Sequence, residues 1–429
     1  MWCRSFALFC LLVTPVFGTD PDPTCSKPLV GECFEDSVPI LKELTGQTVS
    51  SCCKACVDME ACISWTLNTQ QKQCHLRSVF TGHMNKGTEC TSGVARSPAP
   101  TPAPAPTPGP VPPPAGAKNV LFVLVDDLRP QLGAYNISVC GGIPMHTPNI
   151  DRMAANGLTF ARHYNQYSVC SPSRNSFMSG RRPDTTLTYN FKDDFRHAPG
   201  GEAMLPLPEW FKTHGYNVTG MGKTYHAGKP NNFDQPRSWT EGVPYLGYNQ
   251  GLGFCGQHAA CALAMNDTAH FTDDGIAARA VEMLQSHKAN GVGPWMIMAG
   301  FIRPHVDWSA PQRFWDLYPE HRCGADTVAK HKTAPPTSPK IAWVDGGYVD
   351  GKSADLGKGY KFNASRPVDD VIAAHWRRGY YAAVSYMDWN VGKLLDALDD
   401  LGFTNNTIVA LMADVSFPFW SSPFLPPGA

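Results

Sequence analysis

The chain of 429 residues has no run of 18 or more continuous apolar residues, so no membrane-spanning helix is expected. A charge bias of one sign is missing too: Lys and Arg number 36 against 37 Asp and Glu, and no basic cluster is dense. That balance gives no electrostatic reason to expect nucleic acid or an anionic membrane surface as partner. Charge is sparse, at 17% of residues against 43% hydrophobic, so a large core can be buried and the length allows two or three domains. No internal repeat is visible, and domains have to be located from composition and motifs.

What is present begins with a leader. Residues 1–18 carry one Arg near the start, an apolar run from Phe6 to Leu12, then Pro15 and small residues. This reads as a secretory signal peptide cut near Gly18, too short in its apolar part for an anchor. A product of the secretory pathway is expected, secreted, extracellular or lysosomal, without a transmembrane segment. Beyond the leader stand Cys25, Cys33, Cys52, Cys53, Cys56, Cys62, Cys74, Cys90, Cys140, Cys170, Cys255, Cys261 and Cys323. The count is odd, so at least one is unpaired or bonded outside the chain. Asn136, Asn217, Asn266, Asn363 and Asn405 each begin an Asn-X-Ser/Thr sequon compatible with a glycosylated turn.

Composition divides the rest. Residues 19–96 hold eight of the cysteines, a density typical of a disulfide-stapled module whose connectivity spacing alone leaves open. Cys52-Cys53-Lys54-Ala55-Cys56, Cys62-Ile63-Ser64-Trp65-Thr66 and Gln73-Cys74-His75-Leu76-Arg77 resemble the PAN/Apple family. The resemblance implies a cysteine-bearing helix on a small sheet and a module that takes a protein or carbohydrate ligand; a disulfide-rich spacer with no binding role is the alternative. Residues 97–117, SPAPTPAPAPTPGPVPPPAGA, favour an extended polyproline spacer between two folding units, with Thr101 and Thr107 open to O-glycosylation.

From residue 118 to 414 the pattern is α/β. Val120 to Val125 is a continuous, β-branched apolar run that ends abruptly in Asp126-Asp127, as a buried parallel strand would. Phe160 to Tyr164, Pro294 to Gly300 and Thr407 to Met412 read as further strands. Helices are expected over Arg152 to Asn156, stopped by Gly157, over Leu207 to His214, over Asp273 to His287 with Ile276, Ala280 and Leu284 on one face, and over Ala373 to Leu398 despite Gly379 and Gly392. Residues 325–366 are rich in Gly, Pro and Lys and read as irregular.

Asp126-Asp127 is the first chemical signal. Ligands of open α/β sheets gather beyond the carboxyl ends of strands, and two adjacent carboxylates are most naturally offset there by a cation. Oxygen donors favour calcium or magnesium over zinc. A solvent-facing Asp-Asp turn is the plain alternative. Next comes Cys170-Ser171-Pro172-Ser173-Arg174, continued by Ser176, Gly180 and Arg181, with Pro148-Asn149-Ile150-Asp151 upstream. Together these resemble the sulfatase family of the alkaline-phosphatase-like superfamily, which implies a mixed sheet flanked by helices. Asp127-Leu128-Arg129-Pro130, Gly180 to Thr186, and Tyr381 to Asp388 are most similar to the iduronate 2-sulfatases.

The resemblance implies that a formylglycine-generating enzyme converts Cys170 to formylglycine, also called 3-oxoalanine, in the endoplasmic reticulum. It implies that Asp126, Asp127, Asp414 and the modified Cys170 hold a calcium ion. One hydroxyl of the hydrated aldehyde then attacks sulfur, and the other later expels sulfate. Arg174 would lie beside the nucleophile, Lys223 and His226 would contact sulfate, and His305 would serve as general acid for the leaving alcohol. Sulfated glycosaminoglycans or other sulfated sugars are the implied substrates. Modification of Cys170 would leave twelve mature cysteines, a number that permits full pairing.

One departure stands out. The family strand normally ends in Asp-His-Gly with a catalytic lysine later, whereas here Asp414 is followed by Val415, and residues 415–429 do not resemble the family. On this reading the sulfatase-like region, residues 118–414, is truncated and an apolar sheet face is left uncovered. The rival to a sulfate-ester hydrolase is therefore a catalytically inactive isoform or a secreted protein that binds carbohydrate or protein through its first domain.

Overall fold

The computed structural model describes residues 29–34, 40–59, 62, 64–77, 84–94, 111–240, 261–269, 271–327, 355 and 368–415. The leader, residues 19–28, Asn363, nearly all of 328–367 and the tail 416–429 lie outside them. The chain divides into two compact units, residues 1–106 and 107–429.

In the first unit, β1 (Leu29–Phe34), β2 (Ile40–Leu44), β3 (Ser64–Asn68), β4 (Gln73–Arg77) and β5 (Met84–Val94) form an antiparallel sheet in the order β1-β5-β3-β4-β2. Helix α1 (Val49–Val57) starts at a reciprocal Thr48/Ser51 capping box. It buries Cys52, Cys53 and Cys56 against Trp65, Leu67 and Leu76. Cys52–Cys74 ties α1 to β4 and Cys56–Cys62 closes the turn that follows it. A core this small depends on such staples. The cysteine-bearing helix on a small sheet is thus present, held by disulfides.

The second unit is built on four parallel strands, β6 (Asn119–Val125), β7 (Asn217–Gly222), β9 (Trp295–Phe301) and β11 (Thr407–Ala413), in the order β11-β6-β9-β7. The apolar runs exist because β6 and β9 are covered on both faces. Leu121, Val123, Val125, Ile297 and Ala299 face one core with Ile276, Ala280 and Leu284 of α6 (Thr272–Asn290) and Val384, Met387 and Leu394 of α8 (Asp370–Asp400). Val120, Leu124, Met296 and Met298 face the other, with Met178 of α3 (Cys170–Ser179) and Phe211 of α5 (Leu207–Thr213). Helices α2 (Pro148–Ala155), α4 (Pro183–Thr186) and α7 (Gln312–Trp315) and the parallel pair β8 (Ala262–Met265) and β10 (Trp308–Pro311) complete the unit. Cys140–Cys323 staples two of its loops. No helix among the described residues is long and apolar enough to cross a membrane.

Several expectations change. Phe160 to Tyr164 is not a strand: Phe160 and Tyr164 are 66% and 75% exposed in an irregular loop, so apolar character there does not mark a ladder. Strand β7 and helix α3 are additional elements. The end of the proline-rich stretch belongs to the second unit, where the Val111 N–H donates to the Thr213 carbonyl at 2.8 Å. Of the sequons, Asn136, Asn266 and Asn405 are exposed, whereas Asn217 is half-buried at the start of β7.

The two glycines inside α8 have a packing reason. A Cβ on Gly379 would lie 2.6 Å from the Cβ of Ala262 and 3.0 Å from the Trp308 carbonyl, and one on Gly392 would lie 2.7 Å from the Asn149 carboxamide. Their absence of side chain lets β8, β10 and α2 seat against the helix. Gly275 in α6 has open space around its missing Cβ and supplies the control. Gly379→Ala is expected to lower stability by about 1–3 kcal/mol through overpacking, and Gly275→Ala to raise it by about 0.5–1 kcal/mol through helix propensity. Urea denaturation of the two variants measures both, and equal shifts of the same sign would contradict the packing argument.

Candidate active site at the carboxyl ends of the parallel strands

Strand register fixes the site. Ala413 pairs with Val125, Val125 with Phe301, and Gly300 with Gly222, so all four parallel strands end level with one another. The residues just beyond them are Asp414, Asp126 with Asp127, the loop to His305, and Lys223. This is the edge of an open α/β sheet at which ligands bind. A Cβ on Gly300 would collide with the Lys223 backbone, so glycine is what lets β7 and β9 close together at this edge.

Asp127 turns the chain with φ +59, a left-handed conformation that aspartate tolerates better than most residues. Its N–H donates to Asp414 Oδ1 at 3.2 Å, and its carbonyl accepts from the Tyr380 hydroxyl at 2.9 Å. Cys170 is the first residue of α3, a helix that is polar yet almost wholly buried. Its Sγ lies 4.0 Å from Asp127 Oδ1. One turn on, the fully buried Arg174 donates from Nε to Asp414 Oδ2 at 2.8 Å, from Nη2 to Asp126 Oδ1 at 3.3 Å and from Nη1 to the Thr224 and Lys223 carbonyls. Lys223 Nζ pairs with Asp126 Oδ2. Asp273 accepts the N–H groups of Ile302 and Arg303 at 2.8 and 2.9 Å, and Arg303 pairs with Asp307 at 2.7 Å. These bonds hold the loop that presents His305.

His305 Nδ1 lies 2.8 Å from the Val306 carbonyl, which can only accept, so the hydrogen is assigned to Nδ1. Nε2 then points at the carboxylates, 3.7 Å from Asp127 Oδ2 and 4.0 Å from Asp126 Oδ2. The structure thus gathers Asp126, Asp127, Cys170, Arg174, Lys223, His305 and Asp414, which sequence places up to 288 positions apart. His226 is coupled electrostatically to Lys223 and Arg174 and lies with its ring 5.0 Å from that of Phe191. Among the described residues Cys170 is the free cysteine; Cys53 and Cys261 are disulfide-bonded, as are the paired ones above.

Three participants are given no role by the sequence, although Ser173 stands inside the Cys170 to Arg174 motif. Ser173 donates to the Asp414 carbonyl, the Thr224 carbonyl receives Arg174, and Tyr380 bridges Asp127 to the Arg129 N–H at 2.8 Å. Tyr380 borders the Tyr381 to Asp388 segment that resembles a family motif, the nearest sequence signal to it. Val415 is buried beside Asp414 and offers that aspartate its N–H at 2.7 Å, with no side-chain donor atom.

Charge is out of balance here. Burial pushes the Asp126 carboxyl up, but Lys223, His305 and Arg174 outweigh it and hold the group well below the usual carboxylate range. Burial raises Asp127 well above that range, aided by Asp126 and Asp414, and raises Asp414 to about 7 against the pull of Arg174. Burial and then Asp126 also raise the Cys170 thiol, so a thiolate is disfavoured. Three carboxylates facing Arg174 and Lys223 leave one negative charge in excess when all are ionised. Asp127 Oδ2 is buried with no hydrogen-bond partner, a state that costs energy unless a cation meets it.

The donor set fits a metal ion. One oxygen each of Asp126, Asp127 and Asp414 lie within 4.8 Å of one another, as do donor atoms of Asp126, Cys170 and His305. The all-oxygen set suits a hard divalent ion such as calcium.

Residues 118–415 match the sulfatase family model, and the chain belongs to the sulfatase family. It is 34% identical over 315 residues to the iduronate 2-sulfatase of Homo sapiens, covering 70% of this chain and 54% of that protein. A sulfatase of Formosa agariphila is 29% identical over 324 residues, covering 69% and 58%. The chain therefore spans little more than half the length of these relatives. The phosphonate monoester hydrolase structure of Agrobacterium radiobacter superposes with a TM-score of 0.48 at 18% identity, covering 69% of this chain and 62% of that one.

A cation at the three carboxylates has a consequence that needs no turnover. Calcium at a hundred times its dissociation constant should stabilise the wild-type chain by about 2.7 kcal/mol. Asp127→Asn should be more stable than wild type in chelator, since the excess charge is gone, and should lose most of the calcium response. Thermal unfolding in chelator and in calcium measures this; equal responses in the two proteins would contradict the assignment.

Proposed function

We propose that the second unit is a sulfuric ester hydrolase that removes sulfate from sulfated sugars. The observation that carries this reading is the convergence of Cys170 with three carboxylates and two fixed cations at one sheet edge. Asp126, Asp127, Asp414 and the modified Cys170 would hold calcium, which supplies Lewis-acid stabilisation of charge on the sulfuryl oxygens. The nucleophilic hydroxyl would be supplied by formylglycine derived from Cys170. An unmodified Cys170 would be a poor nucleophile, because its surroundings favour the neutral thiol.

The chain's own residues do the rest. Arg174 spans Asp126 and Asp414 and fixes the carboxylates relative to α3. Lys223 places a point charge where sulfate oxygens gather. With a divalent ion the site would carry one net positive charge while His305 is neutral and two once its ring is protonated to serve as acid, and either suits a singly charged sulfate monoester. Burial, then Lys223 and Arg174, push His226 down to about 3, so near neutrality it orients sulfate as a neutral hydrogen-bonding ring. His305, with Nδ1 committed to the Val306 carbonyl, would deliver a proton to the leaving sugar oxygen from Nε2.

The finer reading rests on similarity. We take the substrate to be a 2-sulfated uronic acid in a glycosaminoglycan, the first unit to be a PAN/Apple-like module with a protein or carbohydrate ligand, and the compartment to be the secretory pathway leading outside the cell or to the lysosome. There the formylglycine-generating enzyme would act on Cys170. One observation favours a second reading, a non-catalytic secreted binding protein: Val415 brings no side-chain donor or ligand atom to the position beside Asp414 where the family resemblance places histidine.

Two measurements on the full chain separate the readings. Mass spectrometry of the peptide bearing Cys170, from protein made in secretory cells, should find 3-oxoalanine, and the same protein should release sulfate from an aryl sulfate. Cys170→Ser should lose at least about a thousandfold of that rate, the scale of removing a nucleophile. Unmodified cysteine together with no sulfate release would leave the binding-protein reading.

A further inference from the structure

The wall of the site next to His226 carries a feature the sulfate chemistry does not use. In the segment after α4, side chains alternate between inward and outward. Thr188 is fully buried and bonded to the Thr186 carbonyl at 3.2 Å, while Tyr189 and Phe191 on either side of Asn190 are 47% and 48% exposed. Asn190 Oδ1 accepts the Lys192 N–H at 2.7 Å and closes a local turn. Farther along, the Phe195 N–H donates to Asn175 Oδ1 of α3 at 2.9 Å, which ties the segment to the helix that begins with Cys170. Leu187 enters it with φ +52, an unfavourable conformation for a branched side chain that is kept only where surroundings enforce it.

The two exposed rings lean toward the reactive groups. Phe191 lies 5.0 Å from the His226 ring, tilted by 41°, and Tyr189 lies 6.1 Å from Tyr167, three residues before Cys170. Two half-exposed rings therefore stand at the rim of the site, Phe191 against a sulfate-side histidine and Tyr189 two residues before it. A half-exposed ring beside a site offers a ligand a large apolar face with few rotatable bonds to order. The faces of pyranose rings present C–H groups that pack on aromatic rings, whereas a sulfate group makes no use of them.

We propose that Phe191 and Tyr189 form a sugar-binding platform for the residue adjoining the sulfated one, so that the site selects a sulfated oligosaccharide over a sulfated monosaccharide. This rests on the sulfate-ester reading above. The sulfate would be held by Lys223 and its neighbours, and the next ring of the chain would lie on Phe191, with Tyr189 extending the contact.

Equilibrium binding to the full chain tests it, with a 2-sulfated uronic-acid disaccharide and inorganic sulfate as separate probes. Wild type should bind the disaccharide more tightly than sulfate. Phe191→Ala should weaken the disaccharide by roughly three- to tenfold, the scale of one aromatic contact, and leave sulfate affinity within about twofold. Phe191→Trp should retain disaccharide affinity, and Phe191→Leu, apolar but without a ring face, should not. Equal weakening of both probes in Phe191→Ala would mean that the ring acts only by supporting His226, and no weakening of either would mean that it touches no ligand; each overturns the platform. Wild type that binds sulfate no less tightly than the disaccharide also overturns the platform and leaves the sulfate-ester reading standing. Binding of neither probe overturns both.

Discussion

Arg174 is the pivot of the second unit. Its guanidinium, fully buried, spans Asp126 beyond β6 and Asp414 beyond β11 while donating to carbonyls beyond β7. Breaking such a buried, multiply bonded pairing is costly because it leaves charges with no counterpart. Helix α3 is thereby fastened to three of the four strand ends, and Cys170, one turn earlier on the same helix, has its place fixed by that attachment. The parallel sheet supplies level strand ends; Arg174 makes one site of them.

The balance of charge then decides what the site can hold. One arginine and one lysine do not neutralise three carboxylates, and burial raises the cost of the surplus. Protonation of Asp127 or Asp414 relieves it in the absence of metal. A divalent cation would relieve it differently, by turning a negative pocket into a positive one, as the proposed monoanionic ester substrate requires. The same residues would thus serve both the proposed metal and the proposed substrate charge. They also disfavour the Cys170 thiolate, since burial and then Asp126 raise its thiol well above the usual range.

Much of this was legible in sequence because it is local. Val120 to Val125 is a contiguous apolar run, Asp126-Asp127 ends it, and Cys170 to Arg174 is a contiguous motif. Strand β7 was illegible for a physical reason: Asn217-Val218-Thr219-Gly220-Met221-Gly222 contains two glycines, needed where Trp239 and Gly300 approach closely, and so lacks the apolar signature of its neighbours. Helix α3 was hidden because its buried face is polar, satisfied by the site rather than by hydrophobic packing. Phe160 and Tyr164 misled in the opposite direction, being aromatic and exposed. Tyr380 reaches Asp127 across 253 positions, a contact that spacing does not encode.

Whether the three carboxylates form a divalent-cation site is decided by calorimetric titration of calcium into the full chain, repeated in buffers of different ionisation enthalpy. One ion per chain is predicted, with proton release, because Asp127 and Asp414 are raised by burial and must ionise to bind it. No binding heat in any buffer, or binding without proton release, would contradict the account.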